Sequence, residues 1–398
     1  MNSAKADRSM KRPGAARAFT LTELLVVITL LVIVIAVGLP AFGAMLASSN
    51  RTLAIGQFKA AMSAARDAAI RSTDSDSAAV FFFEPGGRMT IVPCVQVGTV
   101  QDRDHLNWNQ YPNFTVKRDV FAPAGSSEPI QLPPGWMVRA FAGSAMLDDG
   151  NANATGWYGE VPGSREYNAD NGSWVFPETG FFNQDADRDT GANNRTLRQT
   201  FMVRFEKGTG NLVVNQAFPS VVLAPRSSEQ GAVTRVVGTP LETDWRRVDR
   251  TDNVAQWARR LLARRVDPSA AVGSGKVLPG DLAALIGDES GDTVLASSVD
   301  LVSLYEEKTL AASIGARGLN RYSASIYAWG EPGNANAPVP NEPRIDTALF
   351  TGQSPQVVQQ RVDDWIVGTL RLDGRLVESD ALIYGFDRYT GQPREVKP

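Results

Sequence analysis

The spacing of hydrophobic positions changes character along the chain, and each change predicts a different element. Residues 18–45 read Ala-Phe-Thr-Leu-Thr-Glu-Leu-Leu-Val-Val-Ile-Thr-Leu-Leu-Val-Ile-Val-Ile-Ala-Val-Gly-Leu-Pro-Ala-Phe-Gly-Ala-Met, with Glu23 as the only charge. A helix needs about 20 predominantly apolar residues to cross a bilayer, so this stretch is expected to span one. From Arg51 to Ser72 the pattern becomes amphipathic. Leu53, Ile55, Phe58, Met62, Ala65, Ala69 and Ile70 fall mostly three or four apart, opposite Lys59, Arg66, Asp67 and Arg71. Together the two stretches predict one helix from about Thr20 to Ser72, about 80 Å long at 1.5 Å per residue. Pro40 lacks a donor N–H and clashes with the preceding turn, which predicts a kink near Gly38–Pro40.

Beyond the polar break Thr73-Asp74-Ser75-Asp76-Ser77 the period drops to that of strands. Ala79–Glu84, a turn at Pro85-Gly86-Gly87, and Arg88–Cys94 read as a hairpin. Thr200–Phe205 turning at Glu206–Gly210 repeats the pattern, as do Ile366–Leu372 turning at Asp373-Gly374 and Ala381–Phe386 turning at Thr390-Gly391. Such hairpins suit an α+β fold: a long N-terminal helix, membrane-spanning in its first half, packed on an antiparallel sheet. Two segments interrupt this head as expected insertions. Residues 102–198 are rich in Gly, Asn, Asp and Trp with little periodicity, and 245–345 contains helical stretches. Val254, Trp257, Leu261 and Leu262 form one apolar stripe there, and a second helix is predicted over Asp300–Ile314. The expected organisation is a basic leader (1–18), an apolar helix (19–47), its amphipathic continuation (48–75) and a β-rich head (76–398).

The leader carries Lys5, Arg8, Lys11, Arg12 and Arg17 against the single acid Asp7. Basic flanks stay cytoplasmic, which would put the head across the membrane. An ordinary signal anchor, or a secretory cut after Ala41-Phe42-Gly43, also fits these features and leaves an envelope binding protein as the alternative reading. The residues Ala18-Phe19-Thr20-Leu21-Thr22-Glu23-Leu24-Leu25-Val26-Val27 point further. They resemble the cleavage and methylation motif of the type IV pilin and type II secretion pseudopilin superfamily, with Ala18 where that family usually has Gly. The resemblance implies a cut by prepilin peptidase between Ala18 and Phe19 and methylation of the new amino terminus at Phe19. Glu23 then becomes the fifth mature residue and Pro40 the twenty-second, where many members have a helix-kinking proline.

The resemblance further implies a minor pilin or pseudopilin: a single-pass bacterial inner-membrane protein with its head in the envelope. Its partners would be prepilin peptidase, an inner-membrane assembly platform and other subunits of a secretion pseudopilus or type IV pilus. Ala64–Arg71 is similar, more loosely, to the helix end of the GspH/FimT group of minor pseudopilins. Glu23 gains a role in this frame. The α-amine freed by cleavage has an ordinary pKa of about 8. A neighbouring subunit's carboxylate would stabilise its charge strongly in a low dielectric. The family's implied assembly contact is that pairing.

Composition narrows the rest. The net charge of −3 advertises no field for nucleic acid. Cys94 is the only cysteine, so there is no intrachain disulfide and no cysteine cluster for zinc. Cys94 reads as a buried small residue. His105 is the only histidine and lacks the motifs of a hydrolase triad, so no enzyme is expected. No cofactor is expected, with calcium the one candidate ion. Asp185, Asp187 and Asp189 alternate along one loop as hard oxygen ligands, but the glycine, Gly191, comes one residue late and Thr196 stands where a closing Glu belongs. A solvated acidic turn is the competing reading. Arg259, Arg260, Arg264 and Arg265 suit DNA, anionic lipid or an acidic partner, or simply the wet face of a helix.

Overall fold

The structure is a computed structural model that describes residues 21–84, 88–103, 115–125, 127–143, 146, 172–177, 199–214, 219–224, 292–321, 324–328 and 344–396. The chain divides into two compact units, Met1–Thr52 and Leu53–Pro398. Helix α1 (Leu21–Arg71) runs through the boundary as 51 continuous helical residues, Gly38-Leu39-Pro40 included.

In the first unit the apolar side chains from Leu21 to Ile35 are between 47% and 80% exposed. Thr29 donates its hydroxyl to the Leu25 carbonyl and Thr52 to that of Ser48, at 2.8 and 3.0 Å, so these hydroxyls are satisfied by their own helix. Among the described residues no helix is long and apolar enough to cross a membrane. The expected transmembrane segment and single-pass inner-membrane localisation are corrected accordingly.

The second unit is mostly β. Its strands are β1 (Ser77–Glu84), β2 (Arg88–Arg103), β3 (Thr115–Pro123), β4 (Ile130–Gln131), β5 (Trp136–Ala142), β6 (Ser173–Val175), β7 (Gln199–Phe205), β8 (Ser220–Ala224), β9 (Asp292–Ser298) and β10 (Leu301–Glu306). Helix α2 (Glu307–Ser313), β11 (Tyr327–Ala328), β12 (Arg344–Ile345), a 3-10 turn (Thr347–Leu349) and α3 (Pro355–Ile366) follow. The chain then forms β13 (Arg371–Leu372), β14 (Arg375–Leu376), β15 (Leu382–Phe386) and β16 (Pro393–Val396). Strands β1, β7, β9, β8, β3 and β2 pair in that order, and β1 also pairs with β2, so six strands close into a barrel with β4 appended. A second sheet, β16-β15-β10-β5-β6, is antiparallel throughout.

This corrects the expected helix on a single antiparallel sheet. The barrel is of mixed sense, because β3–β8 and β7–β9 are parallel. Parallel neighbours cannot be joined by a tight hairpin turn, so hairpin signals alone cannot reveal them. Two local expectations fall with it. Asp300–Ile314 is not one helix: its first part is β10, buried between β5 and β15, and only Glu307–Ser313 is helical. Ile366 ends α3 rather than opening a strand. Asp373-Gly374 does turn a hairpin, but between the short β13 and β14.

Register defines the barrel's two faces, since directly opposed residues share one. Ala78, Val80 and Phe82 of β1 stand opposite Cys94, Val92 and Thr90 of β2, and the first two also opposite Arg204 and Met202 of β7. These side chains turn inward. Ala79, Phe81 and Phe83 turn outward and meet the buried stripe of α1: Ala54, Phe58, Ala61, Met62, Ala65 and Ala69. Leu53 and Ile70, expected in that stripe, are 50% and 38% exposed, and the small residues Ala54 and Ala61 take the close positions. Phe58 contacts Phe81 of the barrel wall and both Tyr384 and Phe386 of β15, with ring centroids 5.0–6.5 Å apart. Ser77 also donates its hydroxyl to the Ala65 carbonyl. Residues 53–71 are therefore a shared packing element for both sheets.

Candidate functional site

The residues singled out from the sequence do not converge. Ala18 and Phe19 lie outside the described residues, as do Asp185, Asp187, Asp189, His105 and the four arginines from Arg259 to Arg265. Glu23 lies in the first turn of α1, where the helix dipole favours a carboxylate. Pro40 is within α1, with helix assigned on both sides of it. Cys94 is wholly buried inside the barrel, and burial pushes its thiol far up from its ordinary value, so it is no ready nucleophile. Among the described residues no group of three acids, histidines or cysteines could hold a metal ion.

The surface that calls for a partner is the first half of α1. Leu24, Leu25, Val26, Val27, Ile28, Leu30 and Leu31 are each more than half exposed. Residues of this kind fall around the whole helix circumference, so no single stripe can be hidden by one neighbour. A contiguous apolar surface of this extent marks an interaction site.

Sequence reasoning missed two polar networks deep in the second unit. Arg139, on β5, is fully buried. Its Nε donates to the Tyr305 hydroxyl at 2.9 Å, Nη1 to the Trp174 carbonyl at 3.0 Å and Nη2 to the Tyr327 hydroxyl at 2.9 Å. The guanidinium also lies 5.3 Å from the ring centroids of Phe176 and Tyr327. Burial raises the Tyr305 phenol well above its ordinary value, against the lowering effect of Arg139. Asp363, on α3, accepts from Ser173 Oγ at 2.7 Å, Trp174 N–H at 2.9 Å and Gln359 Nε2 at 3.1 Å. Burial pushes its carboxyl up to about 6, and those hydrogen bonds oppose the shift. Glu307 is fully buried too. Its Oε1 accepts from Ser325 Oγ at 2.7 Å and Ile326 N–H at 2.9 Å, while Oε2 has no hydrogen-bond partner among the described residues.

The second network lies at the barrel. Arg204 donates through Nη2 to Asp76 at 2.6 Å and through Nη1 to Asp119 at 2.7 Å, with its guanidinium 5.1 Å from the Phe121 ring centroid. Strands β3 and β7 and the residue that leads into β1 are thus tied at one place by charge. Both networks use their donors internally: Arg204 is paired with two carboxylates, while Arg139 is held by neutral acceptors and ring faces, and each arrangement constrains register. An arginine in the apolar-flanked run Trp-Met-Val-Arg-Ala-Phe-Ala was the available signal for Arg139, since an isolated cation in a strand of that composition requires partners.

No known protein family, curated protein or solved structure matches the chain.

Proposed function

We propose that this chain is a minor subunit of a helix-packed filament, a pilin or pseudopilin of a type II secretion pseudopilus or a type IV pilus. In this reading prepilin peptidase cuts between Ala18 and Phe19, and α1 then packs against the equivalent helices of neighbouring subunits. The observation that carries it is the continuous apolar surface Leu24–Ile35, exposed on every side of the helix and headed by a single acid, Glu23. Burying such a surface among other helices contributes about 25 cal/mol per Å² of apolar area. Glu23 serves as the contact for a neighbour's amino terminus, and the β-rich unit contributes a structural role with no catalysis assigned.

Mass measurement of the mature amino terminus tests the processing step. A chain beginning at methylated Phe19 is expected; one beginning at Met1 or near Ala44 overturns it. A second test addresses packing directly. Cys94 is the only native cysteine and is buried, so Val34→Cys supplies one reactive exposed thiol. Oxidation in cells is expected to yield dimers or mixed dimers through that thiol. The filament reading fails if the chain stays monomeric while correctly processed.

A further inference from the structure

Two turns in the second unit are copies of one another. Phe205-Glu206-Lys207-Gly208-Thr209-Gly210-Asn211 follows β7, and Phe386-Asp387-Arg388-Tyr389-Thr390-Gly391-Gln392 follows β15. The likeness extends to the hydrogen bonds. Glu206 N–H donates to Asn211 O at 2.8 Å and Asp387 N–H to Gln392 O at 3.0 Å; Gly210 N–H donates to Glu206 O at 2.8 Å and Gly391 N–H to Asp387 O at 2.7 Å. In each turn the threonine hydroxyl donates to the acid: Thr209 to Glu206 at 2.8 Å, Thr390 to Asp387 at 3.0 Å. That hydroxyl also accepts from the N–H two residues on, Asn211 at 3.2 Å and Gln392 at 3.4 Å. Gly210 and Gly391 share the left-handed backbone, with φ of 69° and 63°.

The copies also touch. Leu212 N–H donates to the Arg388 carbonyl at 3.0 Å. A Cβ on Gly391 would collide with the Gly210 carbonyl and lie 3.1 Å from the Phe205 ring. The first turn meets the end of α1 as well: Gly208 N–H donates to the Ala69 carbonyl at 2.9 Å, and a Cβ on Gly210 would lie 2.8 Å from Ile70. Helix ends leave carbonyls without intrahelical donors, and this bond supplies one. Three elements therefore meet at one pair of turns: the end of α1, the barrel through β7, and the five-stranded sheet through β15.

We infer that the twin Thr-Gly turns form a clasp through which the end of α1, the barrel and the five-stranded sheet open as one cooperative unit. This does not depend on the filament reading. The two glycines are linked, since a Cβ on Gly391 would displace Gly210 and one on Gly210 would displace α1. Backbone strain alone is a separate effect, and Gly352 isolates it, having a φ of 67° with nothing within 4 Å of a Cβ.

Hydrogen exchange on the full-length chain tests the clasp, because cooperative units reveal themselves by common opening. In the native chain the protected amides of β1 and β7 are expected to open together with those of β10 and β15. In Gly391→Ala, β10 and β15 are expected to exchange about tenfold faster than the barrel strands, a difference of about 1.4 kcal/mol. Gly352→Ala should not separate the two sets. The clasp is overturned if Gly391→Ala behaves like Gly352→Ala or accelerates only its own turn. Should Gly391→Ala fail to fold, the milder Thr209→Val and Thr390→Val decide. Their effects on stability are expected to be non-additive, as for sites sharing a contact, and additivity would sink the inference.

Discussion

Two regions of this protein invert the usual distribution of polarity. Leu24–Ile35 is apolar and exposed, while Arg139, Glu307 and Asp363 are charged-type side chains buried in the second unit. Both are unusual, because a large exposed apolar surface and a buried ionisable group each carry a free-energy cost. They are resolved differently. The buried groups find partners within the chain: tyrosine hydroxyls, backbone carbonyls and amides, and each other's fields. The exposed helix surface has no such internal solution among the described residues and looks outward for one. An intrinsically costly residue therefore points to function only when its own fold leaves it uncovered.

Four substitutions probe this contrast. The largest effect is expected from Arg139→Ala, which takes their donor from the buried Tyr305 and Tyr327 hydroxyls and the Trp174 carbonyl and removes the cation that favours the Asp363 carboxylate. Loss of about 3–5 kcal/mol of unfolding free energy should appear in a urea titration; a loss under about 1 kcal/mol would mean the network is not the internal solution claimed for it.

Next comes the pH dependence set by Asp363. Its carboxyl lies at about 6 in the fold against an ordinary 3.8, so the folded chain holds this proton more tightly than the unfolded one. The site's contribution is therefore complete below the ordinary value and declines as pH rises through about 6. Between those limits the loss is on the order of 3 kcal/mol. Asp363→Asn should flatten that slope in stability curves measured across the same range. An unchanged slope would place the titration elsewhere.

Leu31→Ala should have the opposite profile to Arg139→Ala. Stability of the isolated chain is expected to stay within about 0.5 kcal/mol, as at other exposed positions, while recovery in sheared filaments falls. A large loss of stability would show that Leu31 is covered by its own chain. The smallest effect on stability is expected from Glu23→Gln, about 0.3 kcal/mol from the helix dipole at an exposed helix end and visible only in helix content. Filament incorporation of this variant should nevertheless drop, and unchanged incorporation would remove the pairing role assigned to Glu23.

Legibility in the sequence followed the range of the interactions. The β1–β2 hairpin lies where Ala79–Glu84 and Arg88–Cys94 alternate around Pro85-Gly86-Gly87, because its pairing is local. The Thr-Gly turns were visible for the same reason, though not their contact. Barrel closure was not visible: β9 pairs with β7 and β8 from the far side of a long intervening segment. Asp300–Ile314 misled because Leu-Val-Ser-Leu-Tyr-Glu fits either period over so short a run, and only its place between β5 and β15 selects strand. The candidate surface on α1 was legible from composition. The Arg139 and Arg204 networks were not, since Arg139 meets Tyr305 and Tyr327, distant in the chain, and Arg204 meets Asp76 and Asp119 likewise.

What depends only on neighbours along the chain was set by the sequence. That includes the apolar stretch headed by Glu23, the helical continuation to Arg71 and the tight turns. Tertiary packing settled how those parts are used. It closed six strands of mixed sense into a barrel, buried Phe58 between that barrel and a second sheet, and brought two equivalent turns into contact. Propensity and turn geometry act over a few residues. Strand closure and charge pairing are selected by the free energy of burial, which depends on groups that only the folded chain brings together.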